Sequence, residues 1–402
     1  MKITEVEIFQ VKSKRPGWRP VFCRIHTDEG IYGDGEAALT FAVGAPAVFG
    51  MLKDLSRMIL GMDPLKNEVI WDKLYKRTFW GQNGGLVIFA AISAIDIALW
   101  DIKGKYFNAP MHALLGGKRR DELRTYASQL QMGWGEEKCR DSNEMCVPHA
   151  AVTPEDYAEN ALEAVKEGYD CVKFNFFNYA PDGHAYNDDE TCGFLNNKYI
   201  RIIEERVRAV REAVGPDVDI IMENHSRFDA QSAIQVAKAV EKYNIYFFEE
   251  PNTPSPKTAK FIRDNINIPI SHGERIYTRW QFAPYFEDQS IQLIQPDIGN
   301  CGGITEVKKI CDMAYVYDIG VQAHVCASPL STAAALHLEA VIPNFVIHEH
   351  HVYNLHNYNR ELCTVDFQPV NGKFKVPDGP GLGAEISETA IACSEVFTVK
   401  PR

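Results

Sequence analysis

Apolar and polar positions alternate along residues 3–10 and 21–27 and again around Gly30, Tyr32 and Gly33, a period of two that predicts a small antiparallel meander. Helical spacing then takes over and culminates in VIFAAISAIDIALWDIKG, residues 87–104. There Ile88, Ala91, Ile92, Ile95, Leu99 and Ile102 recur at the helical interval, and apolar residues fill much of the remaining surface. A helix apolar on most sides has to lie between layers, here between two domains. Turn residues around Asn108, Pro110, Gly116 and Gly117 close this part.

Beyond Arg119 the pattern becomes strand, helix, strand, helix. Short runs rich in branched and aromatic residues fall at 124–128, 171–177, 218–224, 245–251, 268–274, 291–297, 320–326 and 345–351. Helical segments separate most of them, one opening on Thr153 as N-cap with Pro154 at the first helical position. Eight strands in this order fit a parallel α/β barrel. An open doubly wound sheet would carry a glycine-rich turn after its first strand, and none is present. The tail returns to short alternating segments at 373–376 and 397–399. The expected division is a capping part over 1–120, the barrel over 121–357, and 358–402 returning to the cap.

Composition narrows the function classes. Of 402 residues 54 are acidic and 42 basic, a formal charge of −12, which argues against a nucleic-acid or anionic-membrane surface. Hydrophobic residues at 46% and charged ones at 24% describe a globular chain rather than a disordered one. No apolar run approaches the ~20 residues of a membrane span, and the first residues hold no signal core. The ten cysteines form no Cys-x-x-Cys pair, so they read as reduced thiols, and the expected compartment is the cytoplasm.

Polar residues that interrupt the apolar strands sit at their C-terminal ends: Glu223, Glu249, Glu274, Asp297, His324 and Glu349. Their intervals of 26, 25, 23, 27 and 25 residues are one strand–helix repeat each, which turns all six towards one mouth of the barrel. Any one of them alone reads as a capped or salt-bridged residue. Several carboxylates in one mouth repel and desolvate one another unless a cation neutralises them. Glu223, Glu249 and Glu274 are oxygen-only ligands that suit Mg²⁺, with Mn²⁺ as a substitute, better than zinc. His225 lies two residues past Glu223, so alternation puts it on the same side. Asp297 and His324 end neighbouring strands and can form a carboxylate–imidazole pair that fixes the tautomer. Lys173 and Asn175 share a face at the end of the second barrel strand. In His348-Glu349-His350-His351 alternation leaves only Glu349 and His351 on the mouth side, so no zinc box is expected. Gly302 and Gly303 could cradle a phosphate. The polar insertion between Phe177 and Tyr199 reads as a lid or an oligomer contact. A cation with bases on two sides suits removal of a proton next to a carboxylate.

The segments SAIDIALWDIKGK (93–105), LLGGK (114–118), VKFN (172–175), ENHSR (223–227), FFEEP (247–251), HGERIYTR (272–279), IQPDIGNCGGITE (294–306), AHVCASPLSTAAALH (323–337) and IHEH (347–350) resemble the enolase superfamily, mandelate racemase subgroup, and most of all its acid-sugar dehydratases of the D-galactonate dehydratase type. That resemblance implies a (β/α)7β TIM-like barrel with an α+β capping domain built from both termini, and a homo-oligomer. It implies Glu223, Glu249 and Glu274 as metal ligands, His324 as the base with Asp297 as its partner, His225 as the acid that expels the β-hydroxyl, and Glu349 on the substrate carboxylate. Lys173 and Asn175 stand where other members carry Lys-x-Lys, so the second lysine is absent and elimination is favoured over two-base racemisation. The first ligand is usually Asp in the dehydratases and is Glu223 here. Segments 129–152 and 175–198 match nothing and are placed to contact distal sugar hydroxyls. Trp18, Arg19 and Trp80 are candidate lid residues, Trp80 as a substrate contact, and all three suit interface packing equally.

The expected activity is thus a hydro-lyase that converts a small sugar acid to a 2-keto-3-deoxy acid. Epimerisation or cycloisomerisation through the same proton abstraction, a two-carboxylate glycosidase and a non-catalytic sugar-acid-binding protein are the alternatives.

Overall fold

The computed structural model describes residues 1–401 apart from Lys14, Pro16, Ala42 and 141–149. β1 (Ile3–Val11), β2 (Val21–Thr27) and β3 (Tyr32–Ala37) form the predicted meander. The tail strand Ser394–Val399 pairs antiparallel with β1, Val6 opposite Val399, which makes a four-stranded sheet with β1 and β2 in its centre. Helices Ala45–Ile59 and Leu86–Phe107 pack on it, and Asn67–Arg77 packs on those two helices.

The second sheet is parallel and takes the eight predicted strands in chain order: β4 (Glu122–Ser128), β5 (Cys171–Phe174), β6 (Asp219–Glu223), β7 (Ile245–Glu249), β8 (Ile270–His272), β9 (Leu293–Ile294), β10 (Gly320–Val321) and β11 (His348–His351). β11 pairs with β4, and a parallel bridge from Val321 to Phe345 joins the seventh strand to the approach to the eighth, so the sheet curls shut. The main apolar core lies between this sheet and its surrounding helices. No helix among the described residues is long and apolar enough to cross a membrane.

Several strands stop short of the predicted ends. β8 ends at His272, β9 at Ile294 and β10 at Val321, so Glu274, Asp297 and His324 lie on the connections that follow. Side chains take over the ladder there: the Gly273 N–H donates to Glu250 Oε1 and the Gly299 N–H to Asp297 Oδ1. β6 ends at Glu223, and His225 and Ser226 adopt φ of 51° and 62°, so a left-handed turn rather than strand alternation aims His225. In the tail, Lys373–Lys375 pairs antiparallel with β4 of the barrel instead of joining the N-terminal sheet.

Helix Leu86–Phe107 is buried along most of its length between the small sheet and helix Gly303–Val316, the two-sided burial that its pattern predicts. Its polar residues are the joints: Asp96 accepts from the Thr305 N–H and hydroxyl at 2.8 and 2.6 Å, and Ser93 Oγ accepts from the Gly302 N–H at 2.8 Å. Gly302 and Gly303 are therefore no phosphate cradle. A Cβ on Gly303 would come within 2.5 Å of Asp96, so Gly303 is small because this helix presses on it, while Gly302 sits at φ 110°, in the left-handed region.

Candidate active site at the mouth of the barrel

Glu223 closes β6 and Glu249 closes β7, while Glu274 lies on the turn after β8. Each offers a carboxylate oxygen within 4.8 Å of the other two. Lys173 on β5 is buried beneath them, its Nζ 2.7 Å from Glu249 Oε1, 2.8 Å from Glu349 Oε1 and 3.3 Å from Glu223 Oε2. Burial opposes the charge on Lys173, but these three carboxylates outweigh it and hold the ammonium form. Glu349, in the middle of β11, also accepts from Ser128 Oγ at 2.7 Å and from the Val325 N–H at 2.9 Å. Burial disfavours its ionisation, yet Lys173 and His324 turn the balance and keep it a carboxylate.

On one side of the cluster His324 holds Asp297 Oδ2 through Nδ1 at 2.7 Å and turns Nε2 to Glu274 Oε2 at 3.2 Å. Burial works against its protonation, but Asp297 and Glu349 together push its pKa up to about 9. On the other side His225 Nε2 lies 3.0 Å from Glu223 Oε1, and its Nδ1 lies 3.2 Å from Asn175 Nδ2. Burial, then Arg275 and Lys173, hold His225 well below the ordinary histidine range.

The donor set fits a divalent cation on grounds internal to this structure. Glu249 Oε2 is buried with no hydrogen-bond partner, and burial pushes the Glu249 pKa up to about 8 against the pull of Lys173, with Glu223 and Glu349 adding to the rise. Glu223 is raised for the same first reason, burial. The cluster thus carries more negative charge than its own cations balance, and its free ligands are all oxygens.

Other expected residues lie differently. Asn175 has both polar side-chain atoms engaged, Oδ1 accepting from the Phe177 N–H at 2.9 Å and Nδ2 facing His225. Trp80 is 74% exposed, its ring edge-on to Phe79, with no described contact to the cluster. Trp18 is fully buried against Tyr353 and Tyr358, which is interface packing. His348 binds Glu339 and His350 faces Tyr169 on the outer side of β11, while His351 is at the mouth with Tyr353. The insertion after β5 encloses its own cavity of about 580 Å³, lined by Asp182, His184, Glu190 and Phe194 and separate from the carboxylates. Of the segment 129–152, residues 141–149 lie outside the described part.

Gln129, Gln131, Glu250 and Arg275 were not singled out by the sequence pattern. Gln129 donates to Glu223 Oε2, and Arg275 pairs with Glu274 and, at 3.4 Å, with Glu250. The same-parity pair Gln129 and Gln131 directly after a strand end is the signal that could have found the first two.

A family model described as "Enolase C-terminal domain-like" matches residues 156–390, and one for the N-terminal domain of mandelate racemase / muconate lactonizing enzyme matches residues 13–116. The chain is 32% identical to a D-gluconate dehydratase of Thermoproteus tenax over 92% of its own length and 69% of the relative's. It is 32% identical to a D-xylonate dehydratase of Haloferax volcanii over 97% of its own length and 88% of the relative's. A crystal structure of an enolase-superfamily member from Salmonella Typhimurium superposes with a TM-score of 0.95 at 50% identity, covering 99% of this chain and all of that one.

Proposed function

The chain belongs to the mandelate racemase / muconate lactonizing enzyme family of the enolase superfamily, and on that premise we propose that it is a Mg²⁺-dependent sugar-acid dehydratase, a hydro-lyase yielding a 2-keto-3-deoxy acid. The observation that carries the reading is the carboxylate triad Glu223, Glu249 and Glu274 set between two histidines with opposite electrostatics. Two relatives named as dehydratases of sugar acids support it.

Glu223, Glu249 and Glu274 would hold the cation. When bound, it supplies positive charge that stabilises the substrate carboxylate as the α-proton leaves and offsets the field that keeps His324 protonated. His324 takes the α-proton on Nε2, because Nδ1 is committed to Asp297. The C–H electron pair moves into the Cα–Cβ bond as the Cβ–O bond breaks. Once protonated, His225 would give its Nε2 proton to the departing hydroxyl, which leaves as water. Glu349, anchored by Lys173 at 2.8 Å, would face the substrate carboxylate through a shared proton. The enol product becomes the keto acid.

The test is incubation in D₂O with Mg²⁺ and a panel of aldonic and aldaric acids, following α-deuteration by proton NMR and keto acid by semicarbazide. A keto acid from one stereochemical series, abolished by EDTA and restored by Mg²⁺, is the expected result. Deuteration without keto acid would replace dehydration by epimerisation or cycloisomerisation, and activity indifferent to EDTA would sink the metal-assisted reading.

A further inference from the structure

The connection after β4 carries two buried glutamines whose amides are not free to choose their orientation. The Asn175 backbone N–H, at the end of β5, donates to Gln131 Oε1 at 3.0 Å. A backbone N–H can only donate, so the acceptor end of Gln131 is fixed and its Nε2 must face the other way. There it donates to Gln129 Oε1 at 2.5 Å. Gln129 in turn has only its Nε2 left, and that donates to Glu223 Oε2. Gln129 sits at φ 68°, a left-handed conformation uncommon outside glycine, and its side chain thereby reaches the carboxylate. The same Asn175 serves the other oxygen: its Oδ1 is held by the Phe177 N–H, its Nδ2 faces His225 Nδ1, and His225 Nε2 lies 3.0 Å from Glu223 Oε1.

We propose that Gln129 and Gln131 are positioning residues, a one-way hydrogen-bond relay started by the Asn175 backbone that aims the Glu223 carboxylate into the cation site. The inference rests on the reading of Glu223 as a metal ligand. A glutamate has three side-chain torsions, and a ligand that must be ordered on binding binds more weakly than one already ordered. Gln129, Gln131, Glu223 and Asn175 are each at most 3% exposed, so water does not substitute for a missing link. Gln131 touches Gln129 and Asn175 and none of the three carboxylates, so whatever it does for the cation it does through Gln129.

The relay is tested by calorimetric titration of the full chain with Mn²⁺, comparing wild type, Gln129→Ala, Gln131→Met and the double variant, with thermal unfolding in EDTA as the check on the fold. Gln131→Met is expected to weaken Mn²⁺ binding about 10-fold or more, Gln129→Ala at least as much, and the double variant no more than Gln129→Ala alone. Gln131→Asn, which keeps both amide atoms on a shorter arm, replaces Gln131→Met if that variant unfolds, with the same loss expected. Mn²⁺ affinity within 2-fold of wild type in a folded Gln131 variant overturns the relay, as do fully additive losses. No Mn²⁺ binding by the wild type overturns the site reading and the relay with it.

Discussion

Lys173 and His324 are both held in their cationic forms in the site proposed to accept another cation, and the residue scale shows why both are tolerated. Each is buried, which opposes charge, and each is surrounded by carboxylates that outweigh burial. Lys173 sits among three of them, and His324 between Asp297 and Glu274. Their roles separate by geometry: the ammonium has no open direction, whereas His324 Nε2 points into the mouth. His324→Asn is therefore expected to lower α-proton exchange by about 10²–10⁴-fold, the usual worth of a positioned base, while the thermal midpoint moves little, and the deuterium-exchange assay checks it. Exchange retained within 10-fold would assign the base elsewhere. The strand-end period made His324 legible, because one polar residue per repeat stands out against apolar strands, and Lys173 stood out as a lysine inside an apolar strand. Gln129 was legible only as one of a same-parity pair after a strand end, not by its partner, and Glu250 was not legible. Their partners are 94 and 23 residues away in Glu223 and Gly273, and no local spacing encodes such a meeting.

At the scale of elements the sequence was most informative where periodicity and burial agree. The eight barrel strands and the two-sided helix Leu86–Phe107 follow from runs that can satisfy their apolar faces in only one way. Strand ends were less legible, because side chains such as Glu250 and Asp297 capture the N–H groups that would have continued the ladder. The seam between the small sheet and the central helix depends on absent side chains. A Cβ on Gly35 would lie 1.9 Å from the Ala94 carbonyl oxygen and one on Gly33 2.2 Å from that of Ala98. Gly35→Ala is thus expected to force β3 off the helix and cost at least ~1–3 kcal/mol, read as a lower urea midpoint. An unchanged midpoint would show that the seam gives way without cost.

At the scale of the whole molecule the two sheets are tied by buried carboxylates of the N-terminal part. Glu36 on β3 accepts from the N–H and hydroxyl of Ser328 and, at 2.7 Å, from Ser331 Oγ, at the start of helix Pro329–Val341 that follows the His324 connection. Burial pushes its pKa up to about 7, with the two serines opposing the rise. A carboxyl raised in the folded state favours folding while it is protonated in both states. That advantage fades as pH climbs from the unfolded value of 4.5 towards 7. Glu36→Gln removes the titration, so its stability relative to wild type is expected to rise by up to about 3 kcal/mol between pH 5 and pH 8. Chemical unfolding at both pH values measures this, and a pH-independent difference would refute it. The sequence by itself determined the alternation of elements, the parallel barrel and the strand-end carboxylates, because periodicity is a local property that one chain displays without folding. Only the tertiary structure decided which oxygen faces which donor, that Asn175 serves Glu223 and His225, and that Gly303 makes room for Asp96. Those contacts join residues from distant repeats, and hydrogen-bond direction is set by whichever rigid backbone group starts the chain.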